Sequence, residues 1–130
     1  MAITHAHSAT VWVADQDAAL DFYVNKLGWE KAFEVPMGDG VRFLTIAPAG
    51  RAMPGQATQL SLAPRSWLGE GENPPVNTGI TFIADDIDAT YAELVERGVK
   101  FKGPVEVMPW GMKATWLYDI DGNEFFLTQE

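Results

Sequence analysis

Shifted against itself by 70 residues, the chain brings two of its segments into correspondence, "VADQDAALDFYVNKLGW" (13–29) and "IADDIDATYAELVERGV" (83–99). Ala14 meets Ala84, Asp15 meets Asp85, Ala19 meets Ala89 and Gly28 meets Gly98. Each segment reads as the end of a strand, a capped helix and a glycine stop. Asp15 and Asp85 are expected N-caps, because a carboxylate accepts the orphan N–H bonds of a first helical turn. Phe22, Tyr23 and Leu27 give the first helix an apolar face, and Ile87, Tyr91, Leu94 and Val95 give one to the second. Gly28 and Gly98 suit the left-handed residue that follows a helix.

Strand-like runs follow each helix: "WEKAFEVPM", "VRFLTIAP" and "TQLSLAP" in the first half, "KFKGPVEVM", "KATWLYD" and "EFFLTQE" in the second. Asp121-Gly122 between the last two predicts a tight hairpin with both central residues at positive φ. The Gly- and Pro-rich stretch at 64–76 reads as a linker between a first module, 1–63, and a second, 77–130. At 130 residues one domain built from both repeats is expected. The fold class is α+β: two β-α-β-β-β modules whose curved mixed sheets face one another across a hollow.

The segments "VWVADQDAALDFYVNKLGW", "ITFIADDIDATYAELVERGV" and "WGMKATWLYDIDGNEFFL" resemble the vicinal oxygen chelate superfamily over nearly the whole chain. That superfamily includes glyoxalase I, extradiol dioxygenases, fosfomycin-resistance enzymes and bleomycin-resistance proteins. The resemblance implies ligand positions for a divalent metal, and these fall on Ser8, Gly79, Phe126 and a fourth near Gln59. Such an ion needs imidazole or carboxylate donors, which serine, glycine and phenylalanine do not supply. The only histidines are His5 and His7. Strand alternation sets them with Ala9, Val11 and Val13, opposite Ser8, Thr10 and Trp12. A one-residue bulge would reverse that assignment.

By analogy with the ligand positions of that superfamily, the resemblance implies that Ser8, Thr10, Trp12, Gln59, Ser61, Thr81, Met112, Trp116, Tyr118 and Phe126 face the hollow. Trp110 stands at its rim, and Phe43 adds to its floor. Five tryptophans in a chain this short either fill the space between the sheets or line a site for a flat ligand. The second alternative gives a metal-free binding protein that sequesters an aromatic or polycyclic molecule such as an antibiotic. It would resemble the bleomycin-resistance proteins, with no cofactor and no catalytic residue. The alternatives are a metal-dependent lyase, isomerase or dioxygenase of the same superfamily, and a metal-independent enzyme that uses the hollow to position its substrate.

Glu124 is expected to lie off the hollow, in solvent. The formal charge of −9 repels phosphate backbones, so nucleic acid is not an expected partner, and it favours a cationic ligand. The absence of cysteine rules out thiolate chemistry and fits a reducing compartment. No leader and no apolar run of membrane-spanning length are evident, so a cytoplasmic protein is expected with no membrane partner. The resemblance further implies a homodimer whose partner chain completes the hollow, with the 64–77 loop and Trp67 contributing to it.

Overall fold

The structure, a computed structural model, describes residues 2–130. The chain forms two compact units, one ending at Pro74 and the other beginning at Pro75. Both are α+β, and each carries a mixed, curved sheet.

The first unit contains β1 (Ser8–Val13), α1 (Gln16–Asp21), β2 (Trp29–Gly38), β3 (Val41–Pro48) and β4 (Gln59–Pro64) in sheet order β1-β4-β3-β2. β1 runs parallel to β4, and the other pairs are antiparallel. Alternation puts Val11, Val13, Leu44, Ile46, Leu60 and Leu62 on one face, all buried, where Ala19 and Tyr23 of the helical segment join them. The opposite face carries Ser8, Thr10 and Trp12 in register with Gln59, Ser61 and Ala63.

Asp15 caps α1 as expected, its Oδ1 accepting Ala18 N–H at 2.9 Å. The helix then widens into a π-helical turn over Phe22–Lys26, closed by Leu27 N–H on the Phe22 carbonyl. Gly28 follows at φ 75°, and Gly98 holds the matching place in the second unit at φ 87°. The two-residue turn between β2 and β3 is Asp39-Gly40, with φ of 54° and 76°. Both central residues left-handed is the arrangement that matches the twist of the flanking strands.

The second unit repeats the topology: β5 (Asn77–Ala84), α2 (Ile87–Glu96), β6 (Lys100–Phe101), β7 (Glu106–Val107), β8 (Lys113–Tyr118) and β9 (Glu124–Gln129). The order is β5-β9-β8-β6, with β7 also paired to β8. The expected single strand "KFKGPVEVM" is thus split in two, the break falling at Gly103-Pro104. Proline has no N–H for the ladder, so the edge opens there. The core face carries Leu117, Phe125 and Leu127, with Ile87 and Leu94 from α2.

Two expectations need correction. The cap of α2 is Asp86, not Asp85: Asp86 Oδ1 accepts Ala89 N–H at 3.1 Å, while Asp85 Oδ1 holds Asp86 N–H. The β8–β9 connection is not a two-residue Asp-Gly turn. Asp119 and Asn123 close a three-residue loop in which only Gly122 has positive φ. The buried Asp119 carboxylate dictates this, accepting from the N–H groups of Asp121 and Asn123 and from Asn123 Nδ2.

Substituting Asp86 by alanine is expected to cost about 1 kcal/mol, and Asp85 only a few tenths, because only Asp86 serves a free helical N–H. Urea unfolding of the two variants checks this; an equal loss for both would contradict the assignment.

Candidate functional site

The open face of the second sheet is set by the register of β8 and β9. Trp116 pairs with Phe126, Tyr118 with Glu124 and Ala114 with Thr128. Leu117 and Thr115 turn to the buried face, so alternation leaves Ala114, Trp116 and Tyr118 on the other. Thr81 joins them through its parallel pairing with Phe126. The Trp116 and Phe126 rings lie 4.8 Å apart between centroids, tilted by 57°. Trp110 reaches Phe126 at 6.4 Å from the 108–111 turn and is 61% exposed. Met112, half-buried, leads from that turn into β8.

A polar cluster borders the rings. The Tyr118 hydroxyl donates to Glu124 Oε2 at 2.8 Å, and Asn77 Nδ2 donates to Oε1 at 2.9 Å. Lys102 Nζ is 3.9 Å from Oε2 and 5.6 Å from the centre of the Trp116 ring. Glu124 is therefore neither solvated nor off this face; it is only 7% exposed. Residues 124 and 126 are two apart, and the pleat must put them on one side.

The Tyr118 bond holds the Glu124 carboxyl below the ordinary glutamate value; Asn77 and Lys102 help, and burial opposes them. The same bond raises the Tyr118 phenol above its usual value, with burial and the carboxylate charge adding to it.

The sign follows from linkage. A depressed carboxyl stabilises the fold above its unfolded value and loses that contribution as pH falls through the folded value. A raised phenol contributes below its unfolded value and loses it at alkaline pH. Between about pH 7 and pH 3 wild-type stability should therefore fall, and Tyr118→Phe should fall less steeply from a start about 1 kcal/mol lower. Urea midpoints against pH check this; parallel curves would contradict it.

Beside the cluster, at the break between β6 and β7, lies a pocket of about 240 Å3 lined by Lys102, Gly103, Pro104, Glu106, Met108, Ala114, Thr115 and Trp116.

On the first sheet, Ser8, Thr10 and Trp12 occupy one face. Phe43 lies on that face as well, because Thr45, two residues on, pairs with Ser61. Phe43 packs against Phe33 at 6.0 Å. Ser61 is buried. Gln59 is buried too, and its amide is engaged by the Thr45 hydroxyl at 2.7 Å and by the Ala52 carbonyl at 3.4 Å. His5 and His7 precede β1 and are exposed.

The positions that would hold a metal in the resembling enzymes do not fit one. Phe126 presents a ring packed on Trp116. Gly79 has no donor and sits at φ 73°, where β5 bulges against β9, a conformation that disfavours a ligating side chain. Among the described residues, no group of three or more His, Asp or Glu side chains is arranged to hold an ion. No described helix is long and apolar enough to cross a membrane.

Sequence reading missed Lys102 and Asn77. Lys102 was within reach, since its backbone N–H bonds the Trp116 carbonyl and so continues the β6 ladder. Asn77 meets Glu124 only because β5 is bulged, and nothing local in the sequence announces that.

The architecture and site can be set against known proteins. A protein from Sphaerobacter thermophilus DSM 20745, described as a member of the glyoxalase/bleomycin resistance protein/dioxygenase superfamily, has a TM-score of 0.87 and 49% identity, over 98% of each chain. TnmS3, an antibiotic binding protein from Streptomyces sp. CB03234, has a TM-score of 0.79 and 36% identity, over 99% of this chain and 98% of its own. The uncharacterized protein YetH of Bacillus subtilis (strain 168) is 32% identical over 122 residues, 94% of this chain and 95% of its own. The sequence pattern of the family matches residues 4–127. With the repeated mixed sheets and these likenesses together, the chain belongs to the Glyoxalase/Bleomycin resistance protein/Dioxygenase superfamily.

Proposed function

We propose that this protein binds a small aromatic or polycyclic molecule, such as an antibiotic, and acts by holding it away from its target. The observation that carries this reading is the partly open group of rings formed by Trp116, Phe126 and Trp110, bordered by the Tyr118–Glu124–Lys102 cluster. Partly exposed rings next to fixed polar groups are the usual make-up of a site for a flat ligand. The likeness to an antibiotic binding protein over almost the full length adds support.

Covering one face of a fused ring system, roughly 150 Å2, is worth roughly 4 kcal/mol before association costs. Useful affinity therefore asks for the second face to be covered too. Thr81 and Met112 supply polar and flexible apolar edges to the rings of the second unit, and Ser8, Thr10 and Trp12 are the binding residues proposed on the first.

A homodimer belongs to this reading. β2 is a ten-residue edge strand with Phe33 51% and Val35 41% exposed, and unpaired apolar edges favour association. A cytoplasmic location is part of the same proposal.

Titration of tryptophan fluorescence against a panel of aromatic antibiotics tests the reading. Quenching that saturates at micromolar ligand is expected. No response from any compound in that range would overturn it.

A further inference from the structure

The geometry points to an aromatic ligand that carries an anionic oxygen substituent, an aryl carboxylate or phenolate, with Lys102 as the residue that selects it. This rests on the binding reading above and reverses the ligand charge that the overall composition suggests.

The charged groups at the rings differ in how open they are to a ligand. Glu124 is closed to a cation by burial: its side chain is only 9% exposed, its oxygens accept from Tyr118 and Asn77, and Lys102 stands beside them. Lys102 is in the opposite position. Its ammonium is 3.9 Å from Glu124, too long for a hydrogen bond, and its side chain is 61% exposed. It lies against the same Trp116 ring that a flat ligand would stack on, and an ammonium has three donors.

A ligand ring on Trp116 would bring an oxygen substituent at its edge within reach of Lys102. A cationic substituent would meet the same ammonium and be repelled. Glu106, which also lines the pocket, is exposed and pairs in register with Ala114, one strand step beyond Trp116. The net charge of −9 acts from a distance and is screened beyond about 8 Å at physiological salt. Glu124 is nearer, ion-paired with Lys102 at 3.9 Å, but it is buried and its oxygens accept from Tyr118 and Asn77, so at the exposed side of the rings contact with the Lys102 ammonium decides.

The experiment compares two flat tricyclic probes of opposite charge, acridine-9-carboxylate and 9-aminoacridine, by calorimetric titration of the full chain at physiological salt. Wild-type protein is expected to bind the carboxylate at least about tenfold more tightly, the ratio one charged hydrogen bond supplies. Lys102→Met keeps the aliphatic stem on Trp116 and is expected to reduce the preference to less than about twofold, while Lys102→Arg retains it. Because the side chain is exposed, neither change threatens the fold; circular dichroism checks this.

Equal or tighter binding of 9-aminoacridine by wild type overturns the inference and leaves aromatic binding standing. A preference that survives in Lys102→Met overturns the role of Lys102. Binding of neither probe overturns the inference together with the reading beneath it.

Discussion

Phe125→Ala is expected to lower the unfolding free energy by about 4 kcal/mol. The ring is fully buried and stacks on Phe82, with centroids 4.6 Å apart and planes within 19°. It sits on the core face of β9, in register with Leu117 of β8, and α2 packs against the same strand. Truncation loses the transfer free energy of the ring and leaves a void that strands fixed by their ladders cannot close, the range being about 3–5 kcal/mol for such sites. Against a total stability of roughly 5–15 kcal/mol this removes a large share.

Phe125→Leu keeps most of the volume and should cost no more than about 1.5 kcal/mol. Urea denaturation followed by circular dichroism measures both. The neighbour Phe126 provides the contrast: it faces the open side, so its alanine variant should lose far less stability. Equal losses at 125 and 126 would mean that the strand phase on which the whole site depends is wrong.

That phase was largely readable in the sequence. The 70-residue repeat carries the topology, since Asp15 and Gly28 bracket the first helical segment as expected. Alternation in "KATWLYD" places Trp116 and Tyr118 on one side with Leu117 behind. What local pattern could not supply were features decided by contacts distant in the chain. Asp85 and Asp86 stand side by side, and local pattern does not tell which of them meets the free N–H of Ala89; in the structure it is Asp86. Asp121-Gly122 loses its two-residue turn to the buried Asp119 carboxylate, which acts from outside the dipeptide. The Asp39-Gly40 turn, by contrast, stood in plain view within "MGDGV" and could have been read from its residues alone.

The candidate site divides in the same way. Its rings follow from strand period. Its polar edge depends on a bulge at Gly79 that brings Asn77 opposite Glu124, and on Lys102 extending the ladder past the paired residues of β6. Composition, with a net charge of −9, does not locate Lys102, whose ammonium lies 5.6 Å from the centre of the Trp116 ring.

Trp116→Ala should separate binding from stability. Trp116 is half-buried, so the fold is expected to lose about 1 kcal/mol or less. The same ring meets Phe126 at 4.8 Å, supports Lys102 at 5.6 Å and lines the pocket at the β6–β7 break. Removing it takes away the stacking surface and lets the ammonium move at once. Truncating a central aromatic anchor costs about 2 kcal/mol or more, which is roughly a thirtyfold loss of affinity. For acridine-9-carboxylate, calorimetric titration should register that loss in Trp116→Ala. Trp110→Ala should show only a few-fold change, since Trp110 is 61% exposed and touches the group at its edge. Trp116→Phe should fall between them, because a smaller ring preserves stacking but gives the lysine less surface. The order Trp116→Ala, Trp116→Phe, Trp110→Ala, from largest loss to smallest, is the signature of a ligand seated on Trp116. Wild-type affinity in Trp116→Ala would mean that the ligand rests elsewhere on the molecule, and that the rings of β8 and β9 serve the packing of the protein alone.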